Sequence, residues 1–179
     1  MEYPGSPIGC PAYVQEQEKV LASWPTFGFM NPVHALILNG PNLNLLGLRE
    51  PEIYGHTGMD AILEALRQEF PQDRIDYVQS NHEGVLIDTL QACDPSTGFI
   101  LLNPGGLTHT SVALADAVAA IKVPVYEVHL SHPPSRETYR HHSYIAAHCR
   151  GSISGMGAIG YRLAYQGARH AFTRATKEI

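Results

Sequence analysis

The chain predicts a doubly wound α/β domain, a sheet of five parallel strands with helices on both faces. Three observations point there. From position 34 onward, short apolar runs alternate with segments of helical period. The run at 98–103 is almost wholly apolar, as in a strand buried on both faces. Polar loops rich in Gly, Pro and Asn follow the strand-like runs in turn. Strands separated by helices require right-handed crossovers, and these make a parallel sheet.

Taken in order, His34-Ala-Leu-Ile-Leu-Asn39 reads as a buried strand. Residues 59–70 carry apolar side chains at 59, 62, 63, 66 and 70, a helical spacing that Pro71 ends. Residues 74–80 alternate as a second strand. A helix over 82–93 turns Val85, Leu86, Ile87 and Leu90 inward. The third strand is 98–103, followed by an Ala-rich helix at 110–121 and a fourth strand at 123–129. A short helix at 136–145, a fifth strand at 151–154 and a closing helix at 156–176 complete the pattern. The strand order expected is flavodoxin-like.

The 179 residues suit one catalytic α/β domain at 33–179. Residues 1–32 differ in composition. They contain Pro4, Pro7, Pro11, Pro25 and Pro32, and Lys19 is their one basic residue. They lack the positive start and apolar centre of a signal peptide, so they read as a largely irregular appendage. Cys10, Cys93 and Cys149 form no CxxC pair and cannot all be bridged, which fits a reducing, cytoplasmic setting. A net charge of -5 provides no basic field for nucleic acid. No apolar run reaches the length of a membrane span, and Asp116 interrupts the longest candidate.

In such folds ligands gather beyond the carboxyl ends of the strands. Four polar clusters fall there. After the first strand, Asn39 to Tyr54 places Asn42, Arg49 and Tyr54 on a long loop. A guanidinium close to a phenol favours the phenolate, which makes a base without metal or cofactor. Ser80-Asn-His-Glu-Gly84 follows the second strand. Asn103-Pro-Gly-Gly-Leu-Thr-His-Thr-Ser111 follows the third. It opens a helix whose free N–H groups suit an oxygen-rich ligand, with His109 at that mouth. Asp116 interrupts the surface of that helix and needs a partner if buried.

The fourth cluster begins with Glu127 and His129, two residues apart on one strand face. A carboxylate can orient an imidazole and stabilise its protonated form, so that it donates a proton near neutrality. Ser131, with the N–H groups of Leu130 and Ser131, can hold a carboxylate. Arg136 and Arg140 lie i,i+4 and suit anionic or hydroxyl-rich ligands, or a surface pairing with Glu137. Gly155-Met-Gly-Ala-Ile-Gly160 matches GxGxxG, but the chain has no room for the strand and acidic residue a dinucleotide site needs. Tight packing of the last helix explains it better. The histidines from 129 to 148 show no metal-ligand spacing.

Together, NGPNLNLLGxREPxxYG, SNHEG, NPGGLTHTS and EVHLS followed by SRETYRHHSY resemble the type II 3-dehydroquinate dehydratases, in order and spacing from Ala35 to Gly167. The resemblance implies a flavodoxin-like fold and trimers assembled into a dodecamer. It also implies anti elimination of water from 3-dehydroquinate through an enolate, with no metal or cofactor. It makes Tyr54 the base, with Arg49 favouring its phenolate on a lid. Asn42 then stabilises the enolate through a water, and His129 is the acid, oriented by Glu127. Leu130 and Ser131 hold the substrate carboxylate; Asn103, His109 and Arg140 read ring hydroxyls. Asp116 reaches a neighbouring subunit's substrate, and Arg136 belongs to the lid. Lys19, Lys122 and Lys177 all lie outside the polar loops, so no imine chemistry is expected. The chain departs from the family at His132-Pro133-Pro134, where Asn usually follows EVHLS. A binding module for a phosphate-bearing flavin or nucleotide is the alternative, favoured by the Gly-rich third loop alone.

Overall fold

A computed structural model describes residues 31–47 and 58–177. Five strands form one parallel sheet: β1 (His34–Asn39), β2 (Arg74–Gln79), β3 (Phe99–Asn103), β4 (Val125–His129) and β5 (Gly151–Ser154), in the order β2-β1-β3-β4-β5. The α-helices among the described residues are α1 (Met59–Glu69), α2 (Glu83–Gln91), α3 (Val112–Ala120) and α4 (Ile159–Lys177). This is the flavodoxin-like arrangement expected from the alternating pattern.

Side-chain alternation divides the interior into two layers. Ala35, Ile37 and Leu101 face one way, onto Ile62, Leu63 and Leu66 of α1 and Tyr161 and Tyr165 of α4. Leu36, Leu38 and Leu102 face the other way, onto Leu86 and Leu90 of α2 and Leu114 and Val118 of α3. Every residue of β3 is buried, which explains its unbroken apolar run. Each such side chain contributes about 1.5–3 kcal/mol by leaving water. Just before β2, the Asp73 side chain is fully buried and accepts from Arg169 Nε at 2.7 Å, Tyr165 OH at 3.0 Å and Val33 N at 3.1 Å.

The strand order places the topological switch between β1 and β3. The chain leaves β1 for β2 on one side and returns across it to β3 on the other. Gly40 lets the loops after those strands touch. A Cβ there would lie 2.5 Å from the Pro104 carbonyl oxygen, and Gly40 N donates to Asn103 O at 2.7 Å.

Three local expectations need correction. Residues 136–145 do not form an α-helix; short 3-10 turns occupy Pro133–Ser135 and Thr138–Arg140. Pro133 and Pro134 carry no backbone N–H, and residues 142–144 bond to the β3 loop instead of to one another. Val85 is 44% exposed, because Leu86 and Leu90 suffice to seat α2. The helix after β3 starts at Val112, beyond a 3-10 turn at Gly105–His109, and Ser111 Oγ caps it by accepting from Leu114 N at 2.8 Å. That N-terminus therefore satisfies one of its own donors.

Candidate active site

A cavity of about 190 Å³ opens at the switch point, beyond the carboxyl ends of β1, β3 and β4. It brings together Asn42 from the first loop, Asn103 and His109 from the third, His129, Leu130 and Ser131 from the fourth, and Arg136 and Arg140 from the turns that follow. Eight of the residues singled out in the sequence thus share one crevice. Arg49 and Tyr54 lie outside the described residues. Asp116 does not line the cavity. It sits on the exposed face of α3, so the burial cost inferred for it does not arise.

Each wall is held by identifiable bonds. Asn42 is left-handed, φ 70°, a conformation that asparagine tolerates better than most residues. Its N–H donates to Asn81 Oδ1 at 2.9 Å, so the SNHEG loop fixes the β1 loop. Asn103 is buried at the end of β3. Its Oδ1 accepts from Gly105 N at 3.2 Å, and its Nδ2 donates to Tyr161 OH at 3.1 Å. Tyr161 OH in turn donates to Asn39 Oδ1 at 2.7 Å. The phenol on α4 thereby joins the last residues of β1 and β3.

The acid–base geometry centres on β4. Glu127 is 1% exposed, and its Oε1 lies 2.8 Å from His129 Nε2. Thr108 Oγ1 donates to the same oxygen, and Ser143 Oγ lies 3.2 Å from both carboxylate oxygens. Burial opposes the charge on Glu127, but the bonds from His129, Thr108 and Ser143 outweigh it and hold the carboxyl below its ordinary range. An ionised Glu127 accepts a hydrogen bond from Nε2–H, which leaves His129 Nδ1 for a ligand.

His109 Nδ1 lies 2.7 Å from the His142 carbonyl oxygen. A carbonyl only accepts, so Nδ1 carries the proton. Burial, and then the positive charges of His129 and Arg140, outweigh that bond and push the His109 pKa down. Neutral His109 therefore offers Nε2 as an acceptor, suited to a ligand hydroxyl. Arg140 Nε donates to Glu137 Oε2 at 2.7 Å, and Arg136 Nε lies 3.7 Å from the same oxygen. The surface pairing with Glu137 therefore holds, while both arginines still line the cavity. Glu137 falls to about 2, first through its own backbone N–H and then through Arg140.

The GxGxxG stretch braces the turn after β4. At Gly160, on the last helix, an added Cβ would make only an ordinary contact with Ile153 at 3.7 Å. The tight helix packing expected for the stretch is therefore not what its glycines provide. Gly155 N donates to Ser131 O at 2.9 Å and Gly157 N to Leu130 O at 2.9 Å, with φ of 82° and 57° at the two glycines. Two left-handed glycines thus pin the turn after β4. Among the described residues no cluster of three or more His, Cys, Asp or Glu is placed to hold a metal ion. No helix of the described residues is long and apolar enough to cross a membrane. Sequence reasoning missed Thr108, Ser143, Asn81 and Tyr161. Thr108 and Asn81 lie inside motifs already noted, and Ser143 lies in the stretch after EVHLS.

A parallel α/β sheet with a carboxylate–imidazole pair opening on a switch-point crevice defines an enzyme of the acid–base class. Residues 33–169 match the family model described as Dehydroquinase class II. A 3-dehydroquinate dehydratase 1 of Corynebacterium efficiens is 53% identical over 131 residues, covering 72% of this chain and 87% of that protein. A 3-dehydroquinate dehydratase of Bacillus licheniformis is 53% identical over 133 residues, covering 73% of this chain and 92% of that one. Among solved structures, a type II dehydroquinase from Butyrivibrio crossotus superposes with a TM-score of 0.73 at 37% identity, covering 77% of this chain and 98% of that chain. One from Propionibacterium acnes gives 0.72 at 36% identity, covering 79% and 99%. The chain belongs to the class II dehydroquinase family.

Proposed function

We propose that the chain is a type II 3-dehydroquinate dehydratase, a hydro-lyase that removes water from 3-dehydroquinate to give 3-dehydroshikimate. The observation that carries this reading is the Glu127–His129 pair, held at 2.8 Å and opening on a crevice lined by asparagine, histidine and arginine side chains. The reaction is an anti elimination. A base takes a proton from the carbon beside the ketone, an enolate forms, and an acid protonates the departing hydroxyl on the opposite face.

His129 is the acid and Glu127 its orienting carboxylate. Asn42 stabilises the enolate oxygen through a water, where a preorganised dipole is worth most. Leu130 and Ser131 hold the substrate carboxylate; Asn103, His109, Arg140 and Arg136 take its hydroxyls. Tyr54 is the base and Arg49 favours its phenolate. Of the described residues that flank their segment, Leu46 lines the cavity, and a Cβ on Gly58 would sit 3.5 Å from the Leu46 carbonyl. Asp116, exposed on α3, is available to reach a neighbouring subunit. The working form is a dodecamer of trimers in the cytoplasm, serving the shikimate pathway to aromatic amino acids, with residues 1–32 as an appendage to the catalytic domain.

The product is a conjugated enone, so ultraviolet absorbance after mixing protein, 3-dehydroquinate and a chelator tests the proposal. A catalysed rise in absorbance is expected, and its absence overturns the reading. Borohydride added with substrate should leave the activity intact; inactivation would indicate an imine intermediate instead.

A further inference from the structure

We propose that Thr108 and Ser143 are positioning residues for the elimination. Their paired hydroxyls hold the Glu127 carboxylate against His129 and bind that acid to the segment carrying Arg140. The proposal rests on the dehydratase reading above and goes beyond it by two residues.

The hydrogen-bond inventory around Glu127 carries it. The groups described within hydrogen-bonding distance of its carboxylate are all able to donate: His129 Nε2 at 2.8 Å, Ser143 Oγ at 3.2 Å from each oxygen, and Thr108 Oγ1. An ionised carboxylate only accepts, and it can take a hydrogen bond from each of these groups. The two hydroxyls lie 2.7 Å apart, and Ser143 Oγ also accepts from Ala146 N at 2.9 Å, which orients its proton toward the carboxylate side. Thr108 is fully buried. Among the described residues its hydroxyl meets Glu127 Oε1 and Ser143 Oγ.

The same two residues join the acid to the ligand-binding turn. His142 O accepts from His109 Nδ1 at 2.7 Å, and Tyr144 N donates to Thr108 O at 2.9 Å, on either side of the hydroxyl pair. Residues 142–144 are thereby laced to 108–109, directly after the Thr138–Arg140 turn. When His129 gives its Nδ1 proton to the leaving oxygen, the C–O electron pair departs with that oxygen as water. Nε2–H stays on the ring, bonded to Glu127. A carboxylate free to rotate or to take up a proton would let the imidazole turn away from the leaving group.

Among the described residues the charged or titratable groups near Glu127 are His129, His109 and Cys149, and burial pushes the Cys149 thiol up to about 12, so it stays neutral. Removing the hydroxyls should therefore weaken the hold on the ionised form of Glu127 and move the acidic limb of the kcat profile to higher pH.

The test compares Thr108→Val, Thr108→Ser, Ser143→Ala and wild type in 3-dehydroquinate turnover across pH, with circular dichroism to check the fold. Thr108→Val and Ser143→Ala should each lower kcat about tenfold, since small displacements of a reacting group cost rates of that order or more. KM should change less than kcat, the acidic limb should move up, and Thr108→Ser should restore the wild-type values. Folded variants with unchanged kcat and pH profile overturn the proposal, as does a rise in KM alone. If Thr108→Val does not fold, Ser143→Ala decides the matter by the same criteria. Failure of wild type to turn over the substrate would instead overturn the dehydratase reading.

Discussion

Glu127 and His129 stand two residues apart on β4, with the carboxylate Oε1 2.8 Å from the imidazole Nε2 and only 1% of Glu127 exposed. The relationship joins strand geometry to chemistry. Alternation puts both side chains on one face, and the end of the strand puts the outer one in the crevice while the inner one stays dry.

Replacing Glu127 with Gln keeps the shape but presents an N–H₂ to a set of donors. The kcat should fall by about 100-fold, the low end of what a positioned acid contributes, because His129 loses the carboxylate that orients it, with a smaller change in KM. Steady-state rates of enone formation for the folded variant check this.

The same residue gives a pH dependence of stability. Its folded pKa lies below the ordinary 4.5, because bonds from His129, Thr108 and Ser143 overcome the burial that opposes its charge. The unfolded chain then binds its proton more readily than the folded one. The stabilisation is complete above about pH 4.5 and is lost as pH falls through the lower, folded value. Urea midpoints measured against pH should fall more steeply for wild type than for Glu127→Gln in that acid window. Glu69 and Asp76, also held low, are common to both proteins and cancel in the difference.

Tyr161 tests how the crevice is braced. Tyr161→Phe removes the bond donated to Asn39 Oδ1 and the acceptor for Asn103 Nδ2, leaving two buried amides short of partners. A loss of about 1–3 kcal/mol in urea denaturation is expected. KM should rise more than kcat falls, because Asn103 belongs to the binding wall.

Far from the cavity, Asp73→Ala strands the guanidinium of Arg169, which is 8% exposed. Breaking a buried pair from one side costs about 3–5 kcal/mol. The urea midpoint should drop accordingly while kcat and KM of the folded enzyme stay near wild type. A large change in KM would show that this buried pair shapes the site.

Much of the fold was legible because each strand carried its own signature. The dry run at β3, the alternation in β2 and the turn chemistry after each strand all agree with the sheet. The cavity was legible because its side chains come from loops after β1, β3 and β4, which parallel topology must gather on one edge. The segment 136–145 misled because i,i+4 spacing of Arg136 and Arg140 also arises in a chain held by tertiary bonds. Asp116 is exposed on α3, as a residue at a wet subunit contact would be in a single chain. Thr108 and Ser143 were invisible as partners of Glu127, since hydroxyl residues are common and only folding reveals that they point at one carboxylate. Tyr161 lies in the core, and nothing local in the sequence reveals what its hydroxyl holds.

The most direct test of the whole account uses 3-dehydroquinate deuterated stereospecifically beside the ketone, on the ring face opposite the departing hydroxyl. With base and acid on opposite faces, the enone should form and the label should be lost to solvent. No enone, or enone that retains the label, would contradict the account.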